Sequence, residues 1–259
     1  MLNINHRIDH GEKNQPWLLL IHGLFGSLDN LAMLRRKLSQ DFNILSIDLP
    51  DHGKSEHSAQ FSFTGYADSI IALLAQLNIS RVNAVGHSLG GKVAMQMALT
   101  YPEIISTLTV LDIAPVAYEP RHSNVFKSLL NVKLESIQDR KDADKMMSKF
   151  VNEASVRQFL LKSLYQDTKT HFWHWRFNLP LLHRDYSLLS QAISSDSQYT
   201  KPVLFLKGEL SDYLVAEYTK QTTDLFPKSR VKVVSGTGHW LHAEKPAECA
   251  DHILTFLRN

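Results

Sequence analysis

One cysteine, Cys249, stands among 259 residues. No internal disulfide can form, which suits a reducing compartment and makes the cytoplasm the expected location. No apolar stretch approaches membrane-spanning length. The opening residues 1–9 alternate in polarity and carry His6, Arg7 and Asp9. They lack the basic start, apolar run and small-residue cleavage site of a secretory signal. Charge of one sign is also missing: 28 Lys and Arg against 26 Asp and Glu leave a net charge of +2, with no basic block. Neither nucleic acid nor an anionic membrane is therefore an expected partner. Repeats and low-complexity linkers are absent. No His/Cys/Asp group has metal-ligand spacing, so neither a metal nor a cofactor is expected.

What is present is ordinary for a globular chain: 44% hydrophobic and 21% charged residues. The length allows a large core, hence one α/β domain or one with an insertion. Leu2, Ile4 and His6 alternate as in an edge strand. Trp17-Leu18-Leu19-Leu20-Ile21 is apolar on both faces, as in a central parallel strand covered by helices. A helix over about Leu28–Leu38 and a strand at Asn43–Asp48 follow. Thr64 is placed to cap a helix through Tyr66, Ile70, Leu73, Leu74 and Leu77. Arg81–Val85 and Thr107–Asp112 read as further strands. The alternation argues for an open, doubly wound, mostly parallel sheet. His22, Asp48, Ser88 and Asp112 all fall at strand ends, so the crevice lies there. Residues 116–199 show no convincing strand. Val125–Leu130, Ala143–Phe150 and Val156–Leu164 read as amphipathic helices, followed by the aromatic run 171–177. Residues 1–115 and 200–259 then build the core, and 116–199 a helical cap inserted over the crevice. The pattern resumes with a strand at Pro202–Gly208, a helix at Tyr218–Phe226, a strand at Arg230–Val234 and a closing helix entered at Pro246. Cys249 reads as structural.

Gly86-His87-Ser88-Leu89-Gly90 has the pattern G-x-S-x-G, with a strand before it and a helix after. A tight turn there lifts a serine from the sheet edge and aims helix N–H groups at any oxygen beside it. A serine hydroxyl is a weak nucleophile and needs a base. His239, in a glycine-flanked loop after the last strand, is the best of the thirteen histidines. His22 and His52 sit in glycine turns where a structural hydrogen bond is the ordinary role. His87 points into the surroundings of the turn, and His242 is a surface or packing residue. The imidazole needs a carboxylate, and Asp112 and Asp212 compete, spacing alone leaning slightly to Asp212. The oxyanion needs two N–H donors: Leu89, and either Leu24 or Phe25 from the His22-Gly23 loop.

These features together resemble the α/β-hydrolase superfamily. The stretches His22–Ser27, Gly86–Lys92, Asp112–Val116, Gln158–Ser163, Trp175–Asn178 and Gly238–Pro246 are similar to bacterial esterases of the YbfF type, cap included. The resemblance implies a catalytic set of Ser88, Asp112 and His239, moving the acid from Asp212 to Asp112. It implies a cap shaping a crevice for large acyl groups or thioesters, acyl-CoA among them. Arg121 and Tyr213 match positions that anchor substrate, with a hinge salt bridge the rival role for Arg121. Ser211 matches a position supporting the histidine. The activity expected is a serine carboxylesterase or thioesterase acting on a small acyl ester or thioester, as a monomer or weak homo-oligomer. The rival on the same scaffold is a carbon–carbon lyase or hydrolase of the menaquinone-pathway or ring-fission type, which typically has its acid at the Asp212 position.

Overall fold

The computed structural model of the chain describes residues 2–12 and 14–258. The elements run β1 (His6–Asp9), β2 (Trp17–Ile21), α1 (Ala32–Leu38), β3 (Asn43–Ile47), α2 (Phe63–Gln76), β4 (Val82–His87), α3 (Leu89–Thr100) and β5 (Ile105–Leu111). Then come α4 (Ser123–Leu130), α5 (Arg140–Met147), α6 (Ala154–Leu161), β6 (Leu164–Gln166), β7 (Trp173–Trp175), α7 (Leu179–Arg184) and α8 (Tyr186–Leu189). The chain closes with β8 (Val203–Gly208), α9 (Thr219–Leu225), β9 (Ser229–Val234), α10 (Leu241–Glu244) and α11 (Pro246–Leu257).

Seven strands form one sheet in the order β1-β3-β2-β4-β5-β8-β9. Only β1 runs antiparallel to its neighbour; the other pairs are parallel. All the parallel strands therefore end on one side, and the segments after β2, β3, β4, β5, β8 and β9 share that rim. The period of two along β2 explains the layers. Leu19 and Ile21 face a large core with α2 and α3, while Leu18 and Leu20 face a smaller one with Leu34, Leu38 and Ile253. All four leucine and isoleucine side chains are at most 1% exposed, and each such burial stabilises the fold by about 1.5–3 kcal/mol.

Several expectations need correction at the level of elements. The first strand begins at His6, so Leu2 and Ile4 precede it. The helix expected from Leu28 opens as a 3-10 turn over Leu28–Leu31 and becomes α-helical at Ala32. Helix α2 is capped by Ser62, whose backbone is extended and whose side chain accepts from the Gly65 amide at 2.9 Å. Thr64 lies inside the first turn. Between β5 and β8 the chain is mostly helical, yet β6 and β7 pair antiparallel, with Leu164 opposite Trp175. Three residues per strand are too few for alternation to stand out. The turn is held instead by Asp167, whose carboxylate accepts from the Lys169 and Thr170 amides.

Two buried polar residues tie the segment between β5 and β8 to the sheet. Asp51, fully buried, accepts from Ser58, Tyr66 and the Asn178 side chain, and its carbonyl accepts from the Asn178 amide. Lys92 on α3 donates to the carbonyls of Val116, Ser190 and Gln191, at both roots of the insertion. Cys249 is buried in α11 and unpaired. Among the described residues no helix is long and apolar enough to cross a membrane.

Candidate active site

Strand β4 and helix α3 meet at Ser88, whose backbone has φ 52° and ψ −118°. That is the left-handed region, costly for a residue with a side chain and typical of a strained nucleophile turn. The turn closes only because its neighbours are small. A Cβ on Gly86 would lie 2.2 Å from the Gly90 carbonyl oxygen, and one on Gly90 would lie 2.3 Å from that of His22. The first residue of the helix is Leu89, so its amide has no partner within the helix and stands beside the serine.

The loop after β9 brings His239 across the rim. Its Nε2 lies 3.0 Å from Ser88 Oγ and its Nδ1 lies 2.8 Å from Asp112 Oδ2. Asp112 is fully buried, with φ 52° turning its side chain off the end of β5. Its other oxygen accepts from the Gly208 amide at 2.9 Å, and Ser211 Oγ donates to Oδ2. Asp212, which spacing favours, faces away. Its side chain is 75% exposed and paired with Arg121. The left-handed turn at Asp112 decides this, and nothing in local spacing announces it.

Gly23 to Gly26 form a tight turn, with the Gly26 amide donating to the Gly23 carbonyl at 3.0 Å. Phe25 has φ 61°, the left-handed value a type II turn requires at its third position. Among the described residues the amides of Leu24 and Phe25 have no hydrogen-bond partner. The Ser163 hydroxyl donates to the Phe25 carbonyl at 3.1 Å and anchors the turn to the insertion. Two cavities adjoin Ser88, of about 70 and 50 Å³; Leu24 borders both, Phe25 only the larger.

A family model of the alpha/beta hydrolase fold matches residues 16–246. The chain belongs to the α/β-hydrolase family. It is 35% identical over 246 residues to esterase YbfF of Escherichia coli K12, across 95% of this chain and 94% of that one. It is 33% identical over 264 residues to the sn-1-specific diacylglycerol lipase ABHD11 of Mus musculus, across 99% of this chain and 85% of the lipase. Among solved structures, a marine microorganism esterase superposes with a TM-score of 0.95 at 30% identity, covering 99% of this chain and all of that one. The motif-level resemblance to YbfF-type esterases thus extends over nearly the whole chain.

Within this hydrolase four of the other histidines are buried. His22 Nδ1 pairs with the Gly23 carbonyl and its Nε2 accepts from the Leu49 amide; burial holds it down to about 4. His52 pairs with the Pro50 carbonyl and burial takes it to about 3. His87 Nε2 donates to the His239 carbonyl at 2.9 Å, so it braces the loop carrying His239. His242 is buried against the His87 ring, with centroids 4.2 Å apart.

Arg121 and Tyr213 both line the smaller cavity. The Tyr213 ring stacks on His239 at 4.1 Å, and the Arg121 guanidinium lies 4.6 Å from the Tyr213 ring centre while pairing with Asp212. Arg121 therefore pairs with Asp212 and also borders the smaller cavity. Sequence reasoning missed Lys92, His122 and Tyr186. A signal existed for Lys92, a lysine one turn after Ser88 that shares its helix face with the apolar Met95 and Leu99. None existed for the other two. Among the described residues no group of three or more His, Cys, Asp or Glu is arranged to hold a metal ion.

Proposed function

We propose that this protein is a serine hydrolase that cleaves carboxylic esters, and acyl thioesters such as acyl-CoA, through an acyl-enzyme. The observation that carries the reading is the continuous hydrogen-bonded chain from Asp112 through His239 to Ser88. His239 Nε2 takes the Ser88 proton as Oγ attacks the acyl carbonyl. The oxyanion that forms is held by the Leu89 amide and by Leu24 or Phe25. Leu24, bordering both cavities, is the better placed. The imidazolium returns its proton to the departing alcohol or thiol. Water, deprotonated in turn by His239, attacks the acyl-serine and releases the acid. Asp112 keeps Nδ1 protonated and stabilises the imidazolium, and Ser211 and Gly208 hold the carboxylate in place.

Residues 116–199 act as a cap in this reading, with Arg121 and Tyr213 meeting substrate at its root. A small-molecule substrate, no metal or other cofactor and a cytoplasmic setting complete it, the last supported by the lone buried cysteine. Names of the relatives, an esterase and a lipase among them, support ester over carbon–carbon cleavage. So does Asp212, exposed and paired with Arg121 rather than with His239.

Labelling with a fluorophosphonate tests the nucleophile. The peptide bearing Ser88 should gain the adduct mass, and loss of that adduct in Ser88→Ala should leave no other labelled serine. Adduct formation elsewhere in the wild type, or none at all, contradicts the assignment. A panel of p-nitrophenyl esters, acyl-CoA thioesters and ring-fission dienoates then ranks the substrate classes, with turnover of the dienoate alone contradicting the ester reading.

A further inference from the structure

Tyr186, at the start of α8, places its phenol oxygen against the segment entering α4. That oxygen accepts from the amides of Arg121 and His122, each at 3.2 Å, and lies 2.6 Å from His122 Nδ1. A phenol has one proton to donate, and two amides fill its capacity to accept. The Tyr186 O–H is therefore directed at Nδ1, which must be the accepting nitrogen. A neutral imidazole that accepts at Nδ1 carries its proton on Nε2. The ring stays neutral because burial, and then the nearby His239 and Arg121, hold His122 down to about 4.

The His122 ring lines both cavities that meet at Ser88. Its Nε2 has no hydrogen-bond partner among the described residues. The cavities that Ser88 lines thus also carry, in their wall, an uncharged N–H donor with no protein partner among the described residues. A plain hydrocarbon chain lying over it would strip its water and leave it unsatisfied. A site of that kind rejects ligands that lack the matching oxygen.

We propose that His122 is a substrate-binding residue whose Nε2–H receives an uncharged oxygen close to the scissile carbonyl, so that preferred substrates are esters or thioesters bearing a keto, hydroxy or alkoxy group there. This rests on the serine-hydrolase reading above. The scissile carbonyl oxygen is not the partner, because the amides of Leu89 and the Gly23–Gly26 turn already serve it. Nor is a carboxylate, because the donor is neutral and the neighbouring Arg121 charge is paired with Asp212.

The test compares two p-nitrophenyl esters of equal chain length, the methoxyacetate and the butyrate. The quantity read is the ratio of their kcat/KM values in each enzyme. In His122→Phe the ratio should fall about tenfold from wild type, the scale of one lost hydrogen bond to a substrate left unsatisfied. Tyr186→Phe keeps the imidazole but frees its tautomer, and should lower the ratio about threefold. It decides the matter alone if His122→Phe does not fold. A ratio within twofold of wild type, including a parallel loss on both esters, overturns the proposal. Retained turnover of both esters by Ser88→Ala would instead sink the hydrolase reading and is distinguishable from either result.

Discussion

Asp112 accepts three hydrogen bonds, from the Gly208 amide, the Ser211 hydroxyl and the His239 ring, while fully buried. A carboxylate so placed is acceptor-only and forces the His239 proton onto Nδ1. Asp112→Asn can offer an N–H instead and select the wrong tautomer, so kcat should fall about 10³–10⁴-fold. Asp212→Asn loses only an ion pair whose acid is three-quarters exposed, and kcat should change less than about tenfold. Ester hydrolysis by the two variants checks this, and equal or reversed losses would move the acid to Asp212. Ser211→Ala removes one of the three supports and should lower kcat roughly three- to tenfold with KM nearly unchanged. A changed KM with constant kcat would assign Ser211 to substrate binding. At this scale the serine and histidine were legible because glycines mark both turns. Which aspartate meets the ring was not legible from spacing, because Asp112 and Asp212 each follow a strand; only the family resemblance pointed to Asp112. Asp112 alone of the two has a left-handed backbone, at φ 52°.

Helix α3, which begins beside Ser88, also holds the segment between β5 and β8. Lys92 lies one turn beyond Ser88, 2% exposed, and donates to carbonyls from both roots of residues 116–199. Burial takes its ammonium down to about 7, and the three carbonyl acceptors favour the charged form against that desolvation. Lys92→Met keeps the packed stem but strands the Val116 and Gln191 carbonyls, and should destabilise the fold by about 2–3 kcal/mol. Urea unfolding reads this directly; an unchanged midpoint would mean the contacts contribute nothing net. Proteolysis within 116–199 should also quicken. Helices in the insertion were legible from their apolar period, whereas the β6–β7 hairpin was not, since three-residue strands leave no periodic trace. The cap of α2 was misplaced by two residues because Ser62 and Thr64 are both good capping types.

Across the whole molecule, the strand–helix alternation and the doubly apolar run of β2 made the parallel sheet readable, because each follows from burying both faces of a sheet. Buried histidines are a property only the folded chain reveals, and they set its response to acid. His22 is held to about 4, and His52 and His242 to about 3, all chiefly by burial. The unfolded chain takes up these protons near pH 6.5, the native state only near 3–4. Unfolding is therefore favoured progressively as pH falls below about 6.5, by several kcal/mol in sum. The melting temperature should be level above pH 7 and drop clearly by pH 5; a flat profile between 7 and 5 would contradict the burial of these rings as neutral species. The proposed reaction rests on the Ser88 hydroxyl, and the most direct measurement is p-nitrophenyl butyrate hydrolysis by Ser88→Ala beside the wild type, with melting curves for both. The expected result is a loss of kcat/KM of at least about 10⁴-fold with an unchanged melting temperature. Turnover retained by a folded Ser88→Ala protein would contradict the account.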